Sequence, residues 1–144
     1  MRLNYLVAVA ICVVICAGCG GAVQPAISGG NSLVVDSPVG RAFKSKTSNV
    51  QVEDEGVVAR ILADDLEGSR HQRFILRLAS GQTVLIAHNI DIAPRVAGLR
   101  EGDSVRFYGE YVWNERGGTV HWTHRDPQGR HTAGWLKHNG RTYQ

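Results

Sequence analysis

The sequence predicts a mainly β protein: a small five-stranded barrel with one short helix and a C-terminal hairpin, preceded by a signal peptide and a flexible linker. Three observations carry this. Apolar residues recur with period two in short runs after residue 50, and turn residues punctuate those runs. A compact apolar leader holding every cysteine stands apart at the front.

The leader comes first. Arg2 gives a positive start, an apolar run extends from Tyr5 to Ala17, and Gly18, Cys19 and Gly20 close it, which are the three parts of a secretion signal. A membrane-spanning helix needs ~20 apolar residues to cross about 30 Å of hydrocarbon, and this run is shorter. Cys16-Ala17-Gly18-Cys19 resembles the lipobox of bacterial lipoproteins, which implies diacylation of Cys19 as the mature N-terminus. Cys16 stands where an aliphatic residue is usual, so ordinary signal cleavage nearby, giving a soluble protein, is the alternative. Residues 1–19 are thus read as leader, and the expected place is the cell envelope, with the membrane a partner through a lipid on Cys19.

Cys12, Cys16 and Cys19 all lie in this leader. The mature domain therefore has no disulfide, thiolate metal ligand or cysteine nucleophile. Lys and Arg number 16 against 13 Asp and Glu, and loss of Arg2 leaves a formal charge of +2. A nucleic-acid partner normally shows a basic stripe or a much larger charge.

Residues 20–49 are rich in Gly, Ser, Asn and Pro, the composition of a tether. From residue 50 to Gln144 the domain begins. Val57, Ala59 and Ile61 alternate with Val58, Arg60 and Leu62, fitting a strand with one buried face. After the polar loop at Asp64, Asp65, Glu67 and Gly68, a second strand sets Phe74, Leu76 and Leu78 opposite His71, Arg73, Ile75 and Arg77. Ser80-Gly81 turns into a third strand, Thr83 to His88. Asn89 or Asp91 as a cap and Pro94 in a first turn predict a short helix ending at Gly98. A fourth strand places Val105, Phe107, Gly109 and Tyr111 inward, with Gly109 marking a bend or bulge. Gly117-Gly118 leads to a fifth, Thr119 to Thr123. His131 to His138 and Arg141 to Tyr143 flank Asn139-Gly140, a strong hairpin signal. Three strands, a helix and two further strands is the order of the oligonucleotide/oligosaccharide-binding (OB) barrel. Another small barrel or sandwich of the same count is the alternative.

The motifs Asp64-Asp65, Gly68 to Phe74, His88 to Arg95, Gly118 to Pro127 with His121-Trp122-Thr123-His124, and Gly134-Trp135 together resemble a bacterial family, domain of unknown function 3465, over roughly Val50 to Gln144. The resemblance implies domain boundaries and brings no activity, cofactor or site.

All six histidines fall in the domain. His121, His124 and His131, with Asp126, are candidate ligands for a divalent metal such as zinc, although residues three apart on a flat strand point to opposite faces unless a bulge or turn intervenes. A second group, Asp64, Asp65, His71, Arg73, His88, Asp91 and Arg95, offers the acids and guanidiniums of a metal-dependent phosphodiesterase. Tyr108, Trp113, Trp122 and Trp135, interleaved with Arg106, Arg116 and Arg125, suit stacking against a sugar polymer or single-stranded nucleic acid, though Trp122 alternates with Val120 as a core residue would. The resulting expectation is an envelope binding module for a polymer or small anionic ligand, held by His71, Arg73, His88, Asp91, Arg95, His121 and His124. A hydrolase and a purely structural envelope protein are the alternatives.

Overall fold

The computed structural model describes residues 36–144; the leader, its cysteines and the linker up to residue 35 lie outside the described residues. Seven strands follow one helix among them: α1 (Pro38–Lys44), β1 (Val50–Ile61), β2 (His71–Leu78), β3 (Thr83–Asn89), β4 (Ser104–Val112), β5 (Thr119–His121), β6 (Trp135–His138) and β7 (Arg141–Tyr143).

Hydrogen bonding runs β1-β2-β3-β5-β4, and β4 pairs back onto β1, so five strands close a barrel. Only β3 and β5 run parallel. This is the OB strand order, and closure removes the free edges an open sheet would expose. The β6–β7 hairpin extends the sheet beyond β4.

Alternation fills the barrel. Phe74, Leu76, Ile86, Val105, Phe107, Tyr111, Val120 and Leu136 are wholly buried, each stabilising the fold by about 1.5–3 kcal/mol. β1 starts well before the alternating run at Val57–Ile61, because Val50 to Glu55 already pair with β4. Its inward face is Val52, Gly56 and Val58, and a register shift between Val58 and Arg60 accompanies the exposure of Val57 and Ile61.

Three expectations are corrected. No helix forms between β3 and β4. Asn89 caps only a turn, accepting from the Asp91 N–H at 2.9 Å, and Gln72 holds Val96 instead, donating to its carbonyl at 3.2 Å and accepting from its N–H at 2.8 Å. The helix lies at Pro38–Lys44, inside the stretch read as linker. Ser37 caps it by accepting from Gly40 N–H at 3.0 Å, Pro38 opens it, and Val39 and Ala42 are buried, so residues 36–49 belong to the folded domain. Finally, Gly109 sits in unbroken register rather than at a bulge. A Cβ there would stand 2.5 Å from the His121 carbonyl, so the glycine permits close approach of β5.

β6 is also shorter than the run from His131 suggests. Residues 122–134 form a loop, which begins where Trp122 takes a φ of 50° and leaves the sheet.

Candidate functional site

Because β3 and β5 are parallel, their C-terminal ends lie at the same barrel end as the start of β2. A cleft of about 400 Å³ opens there. Ser69 of the β1–β2 loop, His71, Asn89, Ile92 and His121 line one part; Trp122, His124, Asp126, Arg130 and His131 of the β5–β6 loop line the rest.

Local hydrogen bonds place each imidazole. His71 exchanges backbone hydrogen bonds with Asp65, its N–H donating at 2.9 Å and its carbonyl accepting at 3.0 Å, which pins the β1–β2 loop to the strand. His121 ends β5 directly opposite Glu110 of β4, and its Nε2 faces that carboxylate at 3.4 Å without forming a well-aligned hydrogen bond. Desolvation lowers the His121 pKa; the Glu110 charge opposes the shift, and His131 and His71 add to it. His124 and His131 each donate Nδ1–H to a carbonyl of the next residue, Arg125 at 2.7 Å and Thr132 at 2.9 Å. The rings of His124 and His131 meet edge to face at 5.1 Å, and Trp122 stacks on His131 at 4.4 Å.

Alternation with Val120 would put Trp122 in the core. Instead its left-handed backbone conformation, which costs on the order of 1–3 kcal/mol, turns the ring into the cleft wall and sends Thr123 inward.

Asp126 frames the loop. Its carboxylate accepts from the N–H groups of Gln128 at 2.9 Å, His131 at 3.0 Å and Arg130, and these bonds, led by that of Gln128, hold its pKa below the ordinary value. Among the described residues, no group of three or more His, Cys, Asp or Glu side chains stands at ligand spacing.

His88 lies beneath the cleft, wholly buried. Its Nε2–H donates to the Pro94 carbonyl at 3.1 Å, since a carbonyl only accepts, and Nδ1 therefore accepts from the Thr123 hydroxyl at 2.8 Å. Burial lowers its pKa to about 4, with the Pro94 bond opposing and the charges of His124 and His71 contributing.

The remaining candidates are spent on surface pairs. Arg95 pairs with Asp64, Arg73 stands 3.8 Å from Asp65 and donates to the Ala63 carbonyl, and Asp91 accepts from the Arg70 N–H at 2.7 Å and Nε at 2.6 Å. They brace the loops around the cleft without lining it. The aromatic set scatters as well: Tyr108 stacks with Trp135, and Trp113 lines a separate groove of about 740 Å³ with Ile75 and Leu85.

The model of the family described as Protein of unknown function (DUF3465) matches residues 23–144. The chain belongs to that family. No curated protein matches it. The DUF3465 match reaches back through α1, as the helix packing on the barrel also does. In this DUF3465 chain the features at the cleft that sequence reading does not single out are Glu110 and Arg130. Glu110 meets His121 only through β4–β5 register, and nothing in the sequence marked that pairing.

Proposed function

We propose that this is an exported, envelope-anchored binding module, tethered through a lipid on Cys19, whose histidine cleft holds a small anionic ligand or one unit of an anionic polymer. One observation carries the reading: the cleft gathers imidazoles, the Arg130 guanidinium, the Asn89 amide and the Ser69 hydroxyl, while its one carboxylate, Asp126, is already satisfied by backbone N–H groups. Donors in excess of free acceptors suit an oxyanion. Arg130 pairs with Asp126 through Nε at 3.9 Å, and its side chain stays largely exposed at the rim.

The test is a calorimetric screen of phosphate, sulfate and uronic-acid oligomers against the protein and its Arg130→Ala and His121→Ala variants. Binding that weakens in both variants supports the reading. Equal affinity in all three proteins would falsify it.

A second reading, a phosphodiesterase using the same cleft, draws on the Glu110 carboxylate beside His121, an arrangement that orients a histidine base. Hydrolysis of a generic phosphodiester that disappears in His121→Ala supports it; absence of turnover removes it.

A further inference from the structure

Strand register puts the histidine cleft and the groove at Trp113 on one face of the barrel. Val84, Ile86 and His88 of β3 are buried, so the alternate residues Thr83, Leu85, Ala87 and Asn89 face outward. Across from them on β2 stand Arg77, Ile75, Arg73 and His71, in that order, and Thr119 of β5 is the partner of Leu85 on the other side. Val120 is wholly buried, so Thr119 and His121 face outward together. Asn89, His71 and His121 line the cleft, while Leu85, Ile75 and Thr119 line the groove. Only the row of Ala87 and Arg73 lies between them. Ala87 offers a methyl there, and the Arg73 guanidinium leans away onto the β1–β2 loop, its Nε donating to the Ala63 carbonyl at 3.1 Å. The outward residues from Asn89 to Thr83 thus form an open track about 20 Å long, at ~3.3 Å per residue.

The two ends of the track differ in chemistry. The cleft gathers hydrogen-bond donors, whereas the groove is walled by Leu62, Ile75, Leu85 and Trp113, with Glu115 and Arg116 as exposed opposite charges at its rim. At about 740 Å³, it has the size and the apolar lining of a small-molecule site. A polyanion running along the track would set its next charge over Ile75 and Leu85, away from water and without a donor, which is unfavourable. Resting on the reading of the cleft as an anion site, we propose that cleft and groove are one site for an anionic amphiphile, a phosphate or carboxylate head on an apolar chain. The head lies among His71, His121 and Arg130, and the chain crosses Ala87 to cover Leu85, Ile75 and Trp113. This selects a small ligand over a polymer.

The test is calorimetry of the full-length chain carrying Cys19→Ala, which removes the acylation site, with two probe series: inorganic phosphate, butyl phosphate and octyl phosphate, and acetate, butanoate and octanoate. Affinity should rise about twofold per added carbon in at least one series, because a fully buried methylene contributes about fourfold and an open groove covers roughly half of it. In Leu85→Gln and in Ala87→Phe, each first shown to be folded by its thermal melt, the ratio of octyl to short-anion affinity should fall toward one. A ratio unchanged in both variants overturns the track. Affinity independent of chain length, with the short anions still bound, overturns the amphiphile and leaves the anion cleft. Uronic-acid oligomers that tighten with length while alkyl chains add nothing overturn it in favour of a polymer. Octanol bound as tightly as octyl phosphate, and undiminished in Arg130→Ala and His121→Ala, overturns the shared site together with the anion reading, as does the absence of binding by every probe.

Discussion

His88 and Thr123 share a 2.8 Å hydrogen bond between Nδ1 and Oγ1 in which both side chains are wholly buried. It joins the end of β3 to the first inward residue after β5, directly under the cleft. A neutral imidazole is required there, because Nδ1 accepts the hydroxyl proton.

That requirement predicts an acid-sensitive fold. The His88 pKa falls from 6.5 to about 4 on folding, so between those values the unfolded chain binds more protons than the native one and stability declines as pH falls. The full contribution, on the order of 3 kcal/mol, is present above pH 6.5 and gone below about 4. Urea midpoints measured from pH 7.5 to 4.5 check this. His88→Gln keeps a donor for Pro94 and should flatten the slope relative to the parent; an unchanged slope would exclude His88 as its source.

Thr123→Val should cost about 1–3 kcal/mol, since it leaves His88 Nδ1 buried without its donor. Thermal melts at pH 7.5 read the loss. A variant as stable as the parent would mean that water or a rotated ring replaces the hydroxyl.

Gly109→Ala should destabilise by about 1–3 kcal/mol or more, because the new methyl meets the His121 carbonyl. It should also displace β5 and so reduce ligand binding. Gly68→Ala provides the contrast, a positive-φ position with open space around it whose backbone strain leaves β5 untouched. Chemical denaturation and the anion titration applied to both variants decide whether close approach, rather than general loss of stability, carries the effect.

Asp126→Ala removes the acceptor for three backbone N–H groups. Amide exchange at Gln128, Arg130 and His131 should accelerate while barrel amides stay protected. Protection retained at those three positions would show that the loop is held by other contacts, among which the Gly134 N–H to His124 carbonyl bond at 2.9 Å is the strongest candidate.

Cys19→Ala should move the protein from the membrane fraction to the soluble fraction, and mass spectrometry of the mature N-terminus should find a diacylated cysteine at residue 19. An unmodified terminus elsewhere would replace the anchor with ordinary cleavage.

Much of the barrel was legible because its cause is local. Phe74-Leu76-Leu78 and Val105-Phe107-Tyr111 alternate in the sequence just as they do in the core, and Asn139-Gly140 forms its hairpin with positive φ at both residues. Asn89 and Pro94 are good helix-start signals in isolation, but Gln72, 24 residues from Val96, supplies the competing hydrogen bonds that keep this segment out of a helix. Ser37-Pro38 carried a genuine start signal too, hidden by the composition around it.

The amino-acid order alone determined the strands, the barrel class, the cysteine-free domain and the concentration of histidines. Only tertiary structure decided which imidazoles share a cleft. Side-chain alternation is a property of neighbouring residues and can be read along a chain, whereas convergence depends on parallel β3–β5 pairing and a left-handed turn at Trp122. Those bring His71, His121, His124 and His131 to one barrel end, send His88 beneath them, and leave Arg73, Asp91 and Arg95 to pair with surface charges.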